Sequence, residues 1–376
     1  MILKASVITL HTVNNYGSVL QTYATSKILN RLGYEVEFID YWRQDNLPEF
    51  RAQKLLESNI LKKFECLWGI NQITRSTTVS FLAMMLKHRK SVMQKFLDKN
   101  VCMTPHRYTS YKDLKMNAPL ADVYITGSDQ VWNKIWNRGI DKAFFLDFAP
   151  KDKPKLSFAA SIGREKFDKD EITETKRLLQ QYKAISVREQ SAVELLKSIG
   201  IQSTLILDPT LMLEAKEWKK LAENIKYNAP YLLIYQLNPN QEMDKYAIDL
   251  ARKKGWDIFR IGFGFSDRGK AGKCIMLPSV EKFLGLFFNA RCILTDSFHA
   301  TAFSLNLGID FISVIPPFFG TRIESILELT KTTTRILKNF NDFNICEQEI
   351  NKEMVNKILK VERQKAEYFL KSNLKI

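Results

Sequence analysis

The sequence has few of the residues that staple, anchor or disorder a chain. Its five cysteines (Cys66, Cys102, Cys274, Cys292, Cys346) are odd in number, scattered and free of any CxxC pair. That spacing excludes a disulfide framework and matches no zinc or iron–sulfur pattern, so reduced core thiols are expected. No window approaches the roughly 18 consecutive apolar residues that cross a bilayer. Residues 1–10 read as a first strand and not as a cleaved signal segment, which makes a cytoplasmic protein the expectation. No Pro/Gly/Ser-rich or single-sign tract argues for disorder. Histidine is scarce, and His11, His88, His106 and His299 show no metal-ligand spacing with one another, so no metal and no bound cofactor are expected.

Positive charge is in excess: 56 Lys and Arg stand against 41 Asp and Glu, a net +15. Such a balance favours an anionic partner. Residues 51–100 hold ten basic residues against three acidic ones and supply +7 of the +15. The stretch has an amphipathic helical pattern, with Phe81, Leu82, Met85 and Leu86 preceding Lys87-His88-Arg89-Lys90. It is expected either as a helical excursion with a solvated basic face or as a surface that leans on anionic lipid headgroups or a phosphate-bearing substrate. It lacks the aromatic interleaving of a single-strand-binding surface, so no nucleic acid is expected as a partner.

A length of 376 residues with 45% hydrophobic content suggests two packed domains. Residues 4–10 form an apolar β-run, followed by a turn at Asn14-Asn15-Tyr16-Gly17 and a helical pattern with Leu20, Tyr23, Ala24, Ile28 and Leu32 on one face. Gly33 is its expected C-cap, and residues 35–40 the next strand. A β-α-β unit with a right-handed crossover implies a parallel sheet. Apolar runs at 122–126, 156–160, 184–187 and 204–207 would complete that sheet. A second series, at 231–236, 256–261, 274–276, 291–295 and 310–314, implies a second α/β domain. The expected division is 1–208 and 209–346, with a helix over 347–376 packing back on the N-terminal domain. The fold class is α/β, with two Rossmann-like domains and a cleft between them.

Ligands of open parallel sheets gather at the carboxyl ends of the strands, beside helix N-termini. Four segments fit that position: Asn14-Asn15-Tyr16-Gly17, residues 126–133 (Thr126 to Asn133), Ser186-Val187-Arg188-Glu189, and Thr295-Asp296-Ser297-Phe298-His299. In the last, Asp296 and Ser297 are good N-cap residues and His299 falls in the first helical turn, beside an anion site, where a proton donor is useful. The plainer reading has His299 bonding a neighbouring loop. Arg188 ends an apolar run and offers a bidentate fork for carboxylate or phosphate; its plainer reading is an ion pair with Glu189 or Glu194. Arg322, after residues 316–321, is a weaker candidate of the same kind.

These segments, with Ser157-Phe158-Ala159-Ala160-Ser161-Ile162-Gly163 and Leu207-Asp208-Pro209-Thr210, run in one order over about residues 5–330 and resemble the polysaccharide pyruvyl transferase family. The resemblance implies a GT-B-like fold and transfer of the enolpyruvyl unit of phosphoenolpyruvate to two hydroxyls of a sugar. It implies an acceptor side in the N-terminal domain and a donor side in the C-terminal domain. Donor contacts fall to Arg188, Ser297, Phe298, His299 and Arg322, with His299 as general acid, or as the group assisting phosphate departure, and Asp129 as a candidate acceptor of a hydroxyl proton. Acceptor contacts fall to Asn14, Asn15, Tyr16, Gly17, Ser128 and Trp132, since sugars are held by amide bonds and aromatic faces. An acceptor on a polyprenyl diphosphate would place the basic stretch at the inner face of the cell membrane. One position departs from the family: Ala300 stands where glycine is usual, and its methyl group is expected to narrow the approach to the donor. A nucleotide-sugar glycosyltransferase of the same architecture is the alternative; a non-catalytic basic module for nucleic acid or acidic polysaccharide fits the charge distribution less well.

Overall fold

A computed structural model describes residues 2–13, 15–47, 50, 52–53, 77, 80–81, 83–84 and 92–374. Asn14 and most of the basic stretch, including Leu82, Met85, Leu86 and residues 87–90, lie outside the described residues.

Two parallel sheets organise the chain. The first has β1 (Leu3–Ile8), β2 (Tyr34–Tyr41), β3 (Met103–Tyr108), β4 (Val123–Thr126) and β5 (Lys155–Ser157), in the order β3-β2-β1-β4-β5. The pair β6 (Ser186–Val187) and β7 (Thr204–Leu205) continues it through bridges from Leu156 to Ala184 and from Ala160 to Val187. The second has β8 (Tyr231–Tyr235), β9 (Asp257–Gly262), β10 (Lys273–Met276), β11 (Cys292–Thr295) and β12 (Phe311–Ser313), in the order β10-β9-β8-β11-β12. Both are wound from a central first strand outward and back to the other side. β4, β8 and β11 are apolar without alternation because they are covered on both faces, and every residue of each is buried.

The expected strands are found within a few residues of their predicted ends. β3 was not expected: Pro105 interrupts the run and three of its six residues are exposed. As an edge strand it tolerates a proline that an inner strand would not. The first helix, α1 (Tyr16–Arg31), closes at Leu32, and Gly33 turns the chain with φ of 91°.

Further helices pack around the two sheets: α2 (Gln190–Ser198), α3 (Pro209–Met212), α4 (Val280–Asn289), α5 (Phe298–Leu307), α6 (Thr321–Leu329) and α7 (Lys352–Leu374). One apolar core runs across both sheets, joining Leu20 and Ala24 of α1 to Leu211 of α3, Phe283 of α4, Phe303 of α5 and Leu359 of α7. From α7, Arg363 donates to the Leu211 carbonyl at 2.7 Å and to the Asn306 side chain at 2.8 Å. Tyr34 donates to the carbonyl of Leu374. Among the described residues no helix is long and apolar enough to cross a membrane.

Candidate active site

The carboxyl ends of β1 and β4 meet the carboxyl end of β11 where α1 and α5 begin. Asn15 caps α1, its side-chain oxygen accepting the Gly17 N–H at 2.8 Å. Ser297 caps α5 and accepts the Ala300 N–H at 3.5 Å. Asp296 is not a cap. Its carboxylate accepts the N–H groups of Leu237 and Asn238 and the Asn238 amide, which ties the end of β8 to the end of β11. His299, the second residue of α5, lays its ring against α1. A Cβ on Gly17 would stand 2.1 Å from its Nδ1, so only glycine at 17 allows the two helix starts to approach this closely.

Behind the histidine lies a buried charge network. Arg188 follows β6 and its side chain is wholly inaccessible. One terminal nitrogen donates to Asp208 at 2.6 Å and the other to Asp129 at 3.2 Å, while Nε lies 3.8 Å from Glu189. Asp208 also accepts from the Ser128 hydroxyl at 2.8 Å and from the N–H and hydroxyl of Thr210. Asp129 accepts from the Ser18 hydroxyl and the Gln130 N–H, and holds a left-handed backbone with φ of 82°. Asp tolerates that region because its short side chain bonds locally.

Charge states follow from these contacts. Burial alone would raise the Asp208 carboxyl, but Arg188 and His299 outweigh it and hold the group at about 2. In Asp129, burial is likewise outweighed by Arg188 and His299, and the carboxyl stays below its ordinary value. Burial lowers His299 to about 4, with the pull of Asp208 opposed by Arg188. The imidazole is therefore neutral at pH 7. Its Nε2 lies 3.4 Å from an Arg188 nitrogen and 3.9 Å from Asp208.

Arg322, in the first turn of α6, differs from Arg188. Its Nε donates to the Phe319 carbonyl at 3.3 Å, and among the described residues no ion pair joins it to a carboxylate. Burial and the neighbouring Arg188 lower it to about 10, so it remains a cation at pH 7. Both guanidiniums lie over the Phe298 ring, Arg188 at 4.5 Å and Arg322 at 5.9 Å from its centroid.

Several sequence expectations change on this geometry. Arg188 is not an open clamp, because its fork is occupied by Asp208 and Asp129. Arg322, ranked lower from the sequence, has no carboxylate partner among the described residues. Asp129 is engaged on both oxygens and is a weak base. Ser128 is buried and bonded to Asp208. Trp132 offers no face to a sugar: it is buried, stacked on Phe145 at 5.7 Å, and its indole N–H donates to the Phe144 carbonyl. Tyr16 is fully buried in the C-terminal domain. Asn15 is half-buried with its oxygen used as the cap. Ala300 is buried in the core and presents no methyl group to the cleft surface. Glu189 is one of the ion-pair partners that the plainer reading gives Arg188, whereas Asp208 and Ser18 have no site role in the sequence reading. Their positions at strand and helix ends were the available signal.

The site therefore combines a guanidinium that has no carboxylate partner among the described residues, the first turn of α5 and a neutral histidine, backed by an ionised network. A family model described as polysaccharide pyruvyl transferase matches residues 15–316. No curated protein matches the sequence. Among solved structures, a protein from Listeria monocytogenes described as a candidate UDP-N-acetylglucosamine 2-epimerase is 10% identical, covers 96% of this chain and 91% of its own, and superposes with a TM-score of 0.52. Another UDP-N-acetylglucosamine 2-epimerase is 9% identical, covers 96% and 95%, and gives 0.50. At these identities the likeness shows the two-domain, GT-B-like fold alone.

Proposed function

Because the chain belongs to the polysaccharide pyruvyl transferase family, we propose that it transfers the enolpyruvyl unit of phosphoenolpyruvate to two hydroxyls of one sugar, closing a cyclic pyruvate ketal. The observation that carries this reading is Arg322, a cation without a carboxylate partner among the described residues, set beside the first turn of α5 and the neutral His299. Phosphoenolpyruvate presents a phosphate and a carboxylate, which need a guanidinium fork and backbone N–H donors. Arg322 and the first-turn N–H groups of α5 supply them. Arg188 adds positive potential but spends its fork on Asp208 and Asp129, and its role is to hold the network behind His299.

In the reaction the methylene carbon of the donor gains a proton and the adjoining carbon becomes an oxocarbenium-like centre. One sugar hydroxyl bonds there, phosphate departs, and the second hydroxyl closes the ketal. Of the two hydroxyl protons, one ends on the methyl group and the other on phosphate, so the balance needs no outside acid. His299 is the proton carrier. It is neutral in the free protein, and an anionic donor at close range favours its protonated form. It then gives that proton to the methylene carbon and regains one from a hydroxyl. The acceptor is a sugar of capsule, exopolysaccharide or cell-wall glycan assembly, carried on a polyprenyl diphosphate. The basic excess of residues 51–100 suits a peripheral position at an anionic membrane face.

The test is to incubate the protein with phosphoenolpyruvate and candidate lipid-linked sugars, following phosphate release and product mass together. Coupled release and a ketal-bearing product support the assignment. Thermal protection by a nucleotide sugar, with phosphoenolpyruvate inert, would replace it with glycosyl transfer.

A further inference from the structure

We infer that Tyr16 is a positioning residue, a plug from the N-terminal domain seated in an aromatic socket of the C-terminal domain that holds His299 against Arg188 before any substrate binds. Its catalytic consequence rests on the proton-carrying role of His299; its structural content does not.

Tyr16 opens α1, yet its ring is fully buried among residues of the C-terminal domain. It stacks on Phe283 with centroids 4.3 Å apart and planes 7° apart, with Phe263 at 6.2 Å and Tyr235 at 6.4 Å. Its hydroxyl donates to the Pro278 carbonyl at 2.5 Å. Stacking, edge contacts and a buried hydrogen bond together define both the depth and the rotation of the ring.

The next two residues transmit that placement. Gly17 carries the His299 ring against its Cα, and Ser18 donates to Asp129, which pairs with Arg188. Residues 16, 17 and 18 thus touch the C-terminal socket, the C-terminal histidine and the N-terminal charge network in succession. They share one capped helical turn, so a shift of Tyr16 moves the surface His299 rests on. His299 and Arg188 come from different domains and meet at 3.4 Å; a small change in domain seating separates them.

Labelling of histidines by diethyl pyrocarbonate, read by mass spectrometry on the intact full-length chain without substrate, tests this. His106 is the exposed reference and His11 the buried one, with side chains 55% and 0% accessible against 7% for His299. In Tyr16→Leu and Phe283→Leu, His299 labelling should rise by about tenfold, and in Tyr16→Phe by a few-fold, while His11 and His106 keep their wild-type rates. Should Tyr16→Leu fail to fold, Tyr16→Phe and Phe283→Leu carry the test. Unchanged His299 labelling in cooperatively folded variants, or an equal rise at His11, would reduce Tyr16 to an ordinary core residue. Calorimetry with phosphoenolpyruvate forms a separate arm, with weaker binding expected in the variants. If the wild-type protein binds none, the donor assignment fails while the labelling result still decides the role of Tyr16.

Discussion

The two sides of the cleft each place an arginine at the start of a helix or its approach, and they use it in opposite ways. On the N-terminal side Arg188 meets Asp208 and Asp129 at hydrogen-bond distance, with Glu189 close by. On the C-terminal side Arg322 has a backbone carbonyl for its Nε and no carboxylate ion pair among the described residues. A strand-end arginine is therefore not in itself an anion receptor. The carboxylates around it decide whether it binds a ligand or braces the protein.

The comparison breaks most readily at Arg188. Arg188→Met would leave Asp208, Asp129 and Glu189 without their buried counter-charge and should cost about 3–5 kcal/mol of stability, the range for breaking a buried pair on one side. Urea unfolding measures it, and Arg188→Lys should recover part of the loss, since a point charge cannot serve both Asp208 and Asp129 as a fork does. If Arg322→Met is equally destabilising, the distinction between the two arginines is wrong.

Acid sharpens the same contrast through His299. Its folded value is about 4, against about 6.5 for an ordinary histidine. The unfolded chain thus binds the extra proton first, and stability rises with pH across that window. Acidification from pH 6.5 to 4 should remove up to about 3 kcal/mol, at about 1.4 kcal/mol per pH unit. His299→Gln should flatten the slope in that interval alone. Asp208 acts lower: its folded value of about 2 lies below the ordinary carboxylate, so its contribution is present above about 3.9 and is lost as pH falls towards 2. Two separated windows support the assigned charge states; one merged transition at carboxylate pH in both proteins would overturn them.

At Arg322 the effect should appear in binding and not in folding. Charge-assisted hydrogen bonds contribute about 1.5–3 kcal/mol, so Arg322→Met should weaken phosphoenolpyruvate by roughly 10–100-fold. Its unfolding free energy should stay within about 0.5 kcal/mol of wild type. Calorimetry and denaturation on the same preparation separate the two.

Much of this was legible in the sequence, and the limits are instructive. Parallel strands buried on both faces announce themselves as apolar runs, which is why both sheets could be placed. β3 could not, because an edge strand with Pro105 and exposed His106 and Arg107 carries no such run. The strand-end rule found Arg188, His299 and Arg322. It ranked Arg188 above Arg322, because the two carboxylates that occupy the Arg188 fork lie 20 and 59 residues away in the chain. Nor can local sequence tell a buried indole from an exposed one: Trp132 became core through Phe144, Phe145 and Tyr182. Tyr16 failed the same way, its socket being some 220 to 270 residues distant.

The smallest expected effect concerns Ala300, where the resemblance suggested a methyl group narrowing the donor approach. The structure gives that methyl group another surrounding. Ala300 is inaccessible, belongs to the apolar core and has ordinary helical geometry, with its N–H bonded to the Ser297 cap. Glycine there would remove a buried methyl group and raise the backbone entropy lost on folding. Ala300→Gly should therefore cost about 1 kcal/mol of stability. If the donor is held by Arg322 and the first-turn N–H groups, phosphoenolpyruvate affinity should stay within about twofold, since position 300 adds no charge and its N–H is already used by Ser297. A tenfold tighter complex in Ala300→Gly would mean that the donor passes close over α5. The C-terminal side of the cleft would then be limited by space, and not by the charge that sets Arg322 apart from Arg188.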